Sequence, residues 1–349
     1  MGAIRKKMTR TIIRLAIIPV VLVGVFVFGP RHALKTTSHI PMAYSDVQSI
    51  IDSLAATPKP IEGTEARVLW HGEHNQRTER VILYLHGFSA TRQELAPVPE
   101  HLAVMLGANL IEARLSGHGM GSEAFSMATG EAWLADAHLM LDLATSIGAE
   151  VWILGVSTGA TIASILARDR PDDIAGMLFV SPNFSPKDAN ATLLLWPWAK
   201  QVLPYFLPEE RSWEPLNERQ EKYWTTRYRF SVLFEMMGVV GEASTINYED
   251  VSTPTLIVYS TDDLVVDPTV TESVYARLGT DRKALARASG SQDPSNHVLA
   301  GDIVSPNTTD SMADLMQRFV LGESMEFIEQ RERFSWGDVI NVDLSQPLP

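Results

Sequence analysis

The sequence predicts an α/β fold: a mostly parallel sheet with helices on both faces and an inserted helical cap. Three observations predict it. First, residues 150–168 join an apolar strand at 151–156 to Gly155-Val156-Ser157-Thr158-Gly159 and then to a small-residue helix at 160–167. A strand, a G-x-S-x-G turn and a helix in that order form a tight elbow that lifts a serine clear of the sheet edge. Second, short β-branched runs alternate with stretches of helical spacing, which is the rhythm of a parallel sheet buried on both faces. Third, residues 182–250 break that rhythm. They are dense in Trp, Pro, Leu and Met, and the prolines forbid one long helix, so this stretch reads as a cap of short helices over the sheet's C-terminal edge.

The elements follow in order. Residues 66–70 read as an edge strand and 80–85 as a buried one, ending at His86-Gly87-Phe88-Ser89. Residues 89–106 are helical, with Pro97 and Pro99 confining the regular part to the second half and Gly107 as the stop. A strand at 109–113 leads into Arg114-Leu115-Ser116-Gly117-His118-Gly119. Trp133, Leu134, Ala137, Leu141 and Ala144 mark a helix over 131–147. Strands at 175–180, 255–259 and 283–288, a short helix at 271–278 and a closing helix at 309–321 complete the alternation. Ligands in such sheets sit at the C-terminal ends of the strands, where His86, Ser157 and the loop near Gly117 fall.

The chain of 349 residues divides into an N-terminal segment outside the globular core (1–35), a proline-dotted linker or lead-in with a candidate short helix at 45–54 (36–64), one domain (65–322, cap about 182–250) and a tail (323–349). In the tail Phe327, Phe334 and Trp336 suggest that part of it docks. A net charge of −13 leaves no basic patch for nucleic acid. With no cysteine there is no disulfide, thiolate metal site or cysteine nucleophile. His71-Gly72-Glu73-His74 lacks zinc-ligand spacing and Gly117–Gly121 lacks the dinucleotide fingerprint, so neither a metal nor a cofactor is expected.

Residues 15–29 are an uninterrupted apolar run, preceded by Arg5, Lys6, Lys7, Arg10 and Arg14 and followed by Arg31 and Lys35. No small-residue cleavage site follows. An uncleaved membrane anchor is therefore favoured over a cleaved secretory signal, with the N-terminus in the cytoplasm and the domain on the extracytoplasmic side.

A serine hydroxyl attacks only when a base takes its proton, and histidine is the natural base. Of nine histidines only His297 follows Ser157, in the polar loop 290–301 beyond the last strand. The base in turn needs a carboxylate. Asp262 and Asp263 stand just past the strand ending at Tyr259. Asp263 is chosen because Leu264-Val265-Val266 reads as the chain re-entering the core; Asp262 and Asp267 are the fallbacks. An oxyanion would be met by the backbone N–H of Thr158 and by one from the loop after Leu85, that of Phe88.

Leu85-His86-Gly87-Phe88, Arg114–Gly119, Gly155–Gly159, Asp263–Val266 and Asn296-His297-Val298-Leu299 resemble the α/β-hydrolase superfamily. They are most similar to its bacterial carboxylesterase and monoacylglycerol-lipase branch, over about residues 65–322. The resemblance implies hydrolysis of an ester or lipid substrate through an acyl-serine, without cofactor, and carries Ser157, Asp263, His297, Phe88 and Thr158 to the roles above. The same three side chains would also serve a thioesterase, an amidase or peptidase, or an acyltransferase, and a noncatalytic binding protein on this scaffold is the reading from another class.

Overall fold

The computed structural model describes residues 23–35, 39–56 and 59–323. Its strands are β1 (Arg67–Leu69), β2 (Thr78–Leu85), β3 (Asn109–Glu112), β4 (Gly148–Val156), β5 (Gly176–Val180), β6 (Glu210–Ser212), β7 (Arg227–Arg229), β8 (Thr255–Tyr259) and β9 (Lys283–Arg287). Seven of them form one sheet in the order β1-β3-β2-β4-β5-β8-β9. Only the edge strand β1 runs antiparallel to its neighbour.

The central strands read as continuous apolar runs because both faces are covered. Side chains alternate between the faces. Val81, Leu83, Ile153, Phe179 and Ile257 enter one core, with the helices Val47–Ala56, Gly130–Ile147 and Thr158–Asp169. Ile82, Tyr84, Leu154, Leu178 and Leu256 enter the other, with Val98–Leu106 and Thr309–Leu321. The helix expected at 271–278 runs instead from Pro268 to Arg277, because Asp267 caps it by accepting from Thr269 N and Pro268 fits its first turn.

Two expected boundaries shift. In the lead-in at 36–64 the helix read at 45–54 runs Val47–Ala56 and is packed on the domain, burying Val47 and Ile51, and Asn75 Oδ1 accepts from the amides of Val47 and Gln48 at its start. The N-terminal segment is not wholly outside the core either. Leu34 is buried against Gly130 and Gly238, where an added Cβ would come within 2.7 and 2.9 Å of it. The expected membrane run at 15–29 falls largely outside the described residues, as does the tail beyond Glu323. Among the described residues no helix is long and apolar enough to cross a membrane.

The stretch 182–250 is only partly a cap. Its longest helix, Val232–Ala243, is apolar nearly all round and is a core helix packed on Thr158–Asp169. The rest is short 3-10 and α turns plus an antiparallel pair, β6 with β7, where helices alone were expected. Trp224 packs with Ala90, Val298 and Ile303, so this insert does close over the loops that follow β2 and β9.

Candidate active site

β4 ends at Val156 and the helix Thr158–Asp169 begins two residues later, leaving Ser157 alone to turn the chain. It does so at φ 50° and ψ −117°, a left-handed conformation that costs a non-glycine residue of order 1–3 kcal/mol. The glycines beside it are required by close approach. A Cβ on Gly159 would lie 2.1 Å from the Leu85 carbonyl oxygen, and one on Gly155 would lie 2.7 Å from Ala160 Cα. The Ser157 amide donates to Val180 O of β5 (3.0 Å), which pins the turn to the neighbouring strand.

The loops after β8 and β9 bring the carboxylate and the imidazole to this serine. His297 Nδ1–H donates to Asp263 Oδ2 at 2.9 Å. Nε2 is then free to accept from the Ser157 hydroxyl at 3.1 Å. All three side chains are buried, at 5, 1 and 8 % exposure for Ser157, Asp263 and His297. Burial alone would lower the pKa of His297, but the hydrogen bond and charge of Asp263, with the charges of Glu94 and Asp293, outweigh it and raise that pKa.

Asp263 stands where the sequence placed it, for a different reason. Leu264 and Val265 are exposed, at 64 and 45 %, and the chain re-enters the core only at Val266. The carboxylate is fixed instead by the amides of Val265 and Val266, which donate to Oδ1 at 2.7 and 2.9 Å. Asp262 is exposed and Asp267 is the helix cap, so neither fallback joins the site.

The Thr158 amide adjoins the serine, and the Phe88 amide follows Gly87, whose added Cβ would lie 3.2 Å from Ser157 Cβ; among the described residues neither amide donates to another group. The Phe88 peptide is oriented by His86. Leu115 N donates to His86 Nε2 (3.2 Å), so the proton sits on Nδ1, which donates to Gly87 O (3.0 Å). Burial holds the pKa of His86 down at about 4, consistent with a neutral ring. The Phe88 ring packs edge-on against Phe125, Trp133 and Tyr228.

The sequence reading missed residues that hold the site. Asp293 accepts from the amides of His297 (3.1 Å) and Val298 (2.8 Å), and Ser181 Oγ donates to His297 O (2.7 Å). Asn183 donates to Thr158 Oγ1, and its amide N donates to Ser157 O. Asp293-Pro294-Ser295 carries the composition of an Asx turn and was open to discovery. Ser181 and Asn183 gave no such signal.

A helical cap over the sheet edge predicts an apolar acyl pocket lined by part of it; two cavities of the structure lie elsewhere. One of about 370 Å³ lies between Leu54, Arg114, Met127, Asp136 and Met140. Another of about 250 Å³ lies beside Asp262 and Arg287. Neither is lined by Ser157 or by any residue of 182–250. The apolar insert residues Leu194, Phe234 and Met237 are spent on the core instead.

The family model described as Hydrolase_4, serine aminopeptidase S33, matches residues 76–291. Similar solved structures include one reported for LipS and LipT, two metagenome-derived lipolytic enzymes (19 % identity, 75 % of this chain, 99 % of that one, TM-score 0.63). Another is the monoacylglycerol lipase of Paleococcus ferrophilus (14 % identity, 74 and 98 %, TM-score 0.56). A soluble variant of the monoglyceride lipase of Saccharomyces cerevisiae, with a substrate analog, is a third (16 % identity, 84 and 99 %, TM-score 0.54). At these identities the likeness is one of fold. No curated protein matched the sequence.

Proposed function

The chain belongs to the Hydrolase_4 family of the α/β-hydrolase superfamily, and from that premise we propose that it cleaves carboxylic esters through an acyl intermediate on Ser157. The observation that carries the proposal is the buried line Ser157–His297–Asp263, with contacts of 3.1 and 2.9 Å. In this mechanism His297 Nε2 takes the hydroxyl proton as Ser157 Oγ attacks the ester carbonyl. Asp263 holds the tautomer and stabilises the imidazolium. The amides of Thr158 and Phe88 receive the oxyanion. His297 then protonates the leaving alcohol, and a water activated by the same ring releases the acid.

The names of the three similar structures, all lipolytic, favour an ester or lipid substrate. The family description favours a second reading, removal of N-terminal residues from peptides. A panel separates them. Full-length protein is assayed on p-nitrophenyl esters from acetate to palmitate and on aminoacyl p-nitroanilides, beside Ser157→Ala. The proposal expects ester turnover that falls more than ~10⁴-fold in the variant. Turnover of anilides alone would replace it with the peptidase reading.

The proposal extends to location: residues 15–29 hold the chain on a membrane with the hydrolase domain on the extracytoplasmic face. The denser positive charge ahead of the run supports that orientation. So does an exposed apolar surface beside its end. Phe26 meets Trp196 edge-on at 5.9 Å, Trp198 Nε1 donates to Val25 O, and Tyr205 and Phe206 stand 85 and 79 % exposed nearby in the insert. Aromatic residues of this kind favour a membrane interface. Alkaline extraction of host membranes should leave the full chain in the pellet, and alkaline phosphatase fused after Pro349 should be active. Release into the supernatant would indicate a cleaved signal, and an inactive fusion would reverse the topology.

A further inference from the structure

Glu94 ends the short 3-10 turn Arg92–Glu94 and is buried, yet among the described residues no Arg or Lys pairs with it. Its neighbour Arg92 turns away to Glu65 and Glu112. An unpaired buried carboxylate is costly and calls for a reason. Among the described residues its side chain makes one hydrogen bond, and it is short: Oε2 accepts from Gly87 N at 2.6 Å. A Cβ placed on Gly87 would lie 2.9 and 3.0 Å from the two carboxylate oxygens and 3.2 Å from Ser157 Cβ. The carboxylate and the serine therefore flank the same α-carbon.

Two side chains thus hold the two peptide planes of this turn. Glu94 holds the plane between residues 86 and 87 by its N–H. His86 holds the next by its carbonyl, that of Gly87. In a trans peptide the N–H points opposite to the carbonyl, so the Phe88 N–H is turned away from His86. If the first plane rotated, the second would lose its aim.

We propose that Glu94 is a positioning residue: by accepting the Gly87 N–H it clamps the turn 86–89 so that the Phe88 N–H meets the oxyanion, and its charge favours the imidazolium that forms on His297. The proposal rests on the reading of Ser157 as nucleophile. Among the described residues, titratable groups that feel Glu94 include His297, whose pKa it raises, and Tyr84, across the turn. Burial pushes the Glu94 carboxyl up to about 7, against the pull of the Gly87 amide and His297. Glu94 and His297 therefore titrate as a coupled pair.

Glu94→Gln keeps an oxygen for Gly87 and removes the charge; Glu94→Leu removes both. The proposal expects kcat to fall about 10- to 100-fold further in Glu94→Leu than in Glu94→Gln, with KM little changed. It expects the acid limb of the Glu94→Gln pH profile to move down by about half a unit or more, because the imidazolium loses a neighbouring anion. A residue that merely filled space would not move that limb. Hydrogen exchange over residues 85–95 reads the clamp without activity: it should quicken in Glu94→Leu and stay near wild type in Glu94→Gln. Equal exchange in all three proteins, or an unmoved limb in an active Glu94→Gln, overturns the proposal. If Glu94→Leu does not fold, Glu94→Gln decides alone. A wild type that neither turns over esters nor labels with a fluorophosphonate defeats the nucleophile reading instead, and exchange still reads the clamp.

Discussion

At the scale of the residue, the account turns on one proton. In the proposed mechanism His297 accepts it only as a neutral ring, and its pKa is raised above the ordinary 6.5. Activity should therefore fall as pH drops through a midpoint above 6.5, where the imidazolium forms first. Asp263→Asn removes the charge that offsets burial, so the midpoint should move to lower pH. The same change lets the ring turn to the wrong tautomer, at a cost on the order of 10⁴ in kcat. A pH–rate profile of both proteins measures this; an acid limb unchanged by the substitution would detach Asp263 from the base. The choice of Asp263 in the sequence came from a run of apolar residues after it. In the structure two of those residues are exposed, and what matters is their backbone: the amides of Val265 and Val266 grip the carboxylate. Apolar side chains are visible in a sequence; the direction of an N–H is not. Glu94 was hidden for the same reason, since nothing in Arg92-Gln93-Glu94 marks which way the carboxyl turns.

At the scale of the element, the elbow is the most legible part of the chain. A Cβ on Gly159 would meet the end of β2 at 2.1 Å, and backbone cannot yield as a side chain does. Gly159→Ala should destabilise the fold by ~2–4 kcal/mol, read from chemical denaturation, and should also disturb the site because Leu85 leads into His86-Gly87-Phe88. A loss below ~0.5 kcal/mol would mean the turn has more room than described. The buried strands were legible because a sheet covered on both faces demands continuous β-branched and leucine runs. β6 and β7 were not: Glu210–Ser212 and Arg227–Arg229 are short and charged, and Arg227 pairs with Glu210 across them. Nor does composition tell a cap helix from a core helix, and Val232–Ala243 proved to be core.

At the scale of the whole molecule, the parallel sheet collects loops from distant parts of the chain at one edge. The turn after β2, the elbow after β4 and the loops after β8 and β9 meet there, so residues 140 apart in sequence share a 3.1 Å hydrogen bond. The order Ser157, Asp263, His297 made that convergence foreseeable. Where a substrate would bind was not foreseeable, because composition does not tell which apolar residues of the insert enter the core, as Leu194, Phe234 and Met237 do, and which stand exposed, as Trp196, Tyr205 and Phe206 do. The central claim is that Ser157 is the nucleophile and His297 its base. The most direct test is fluorophosphonate labelling of the full chain, followed by intact mass and peptide mapping, beside Ser157→Ala and His297→Ala. The account predicts a single adduct on Ser157, absent from the first variant and formed far more slowly in the second. An adduct on another residue, or none on folded protein, would contradict it.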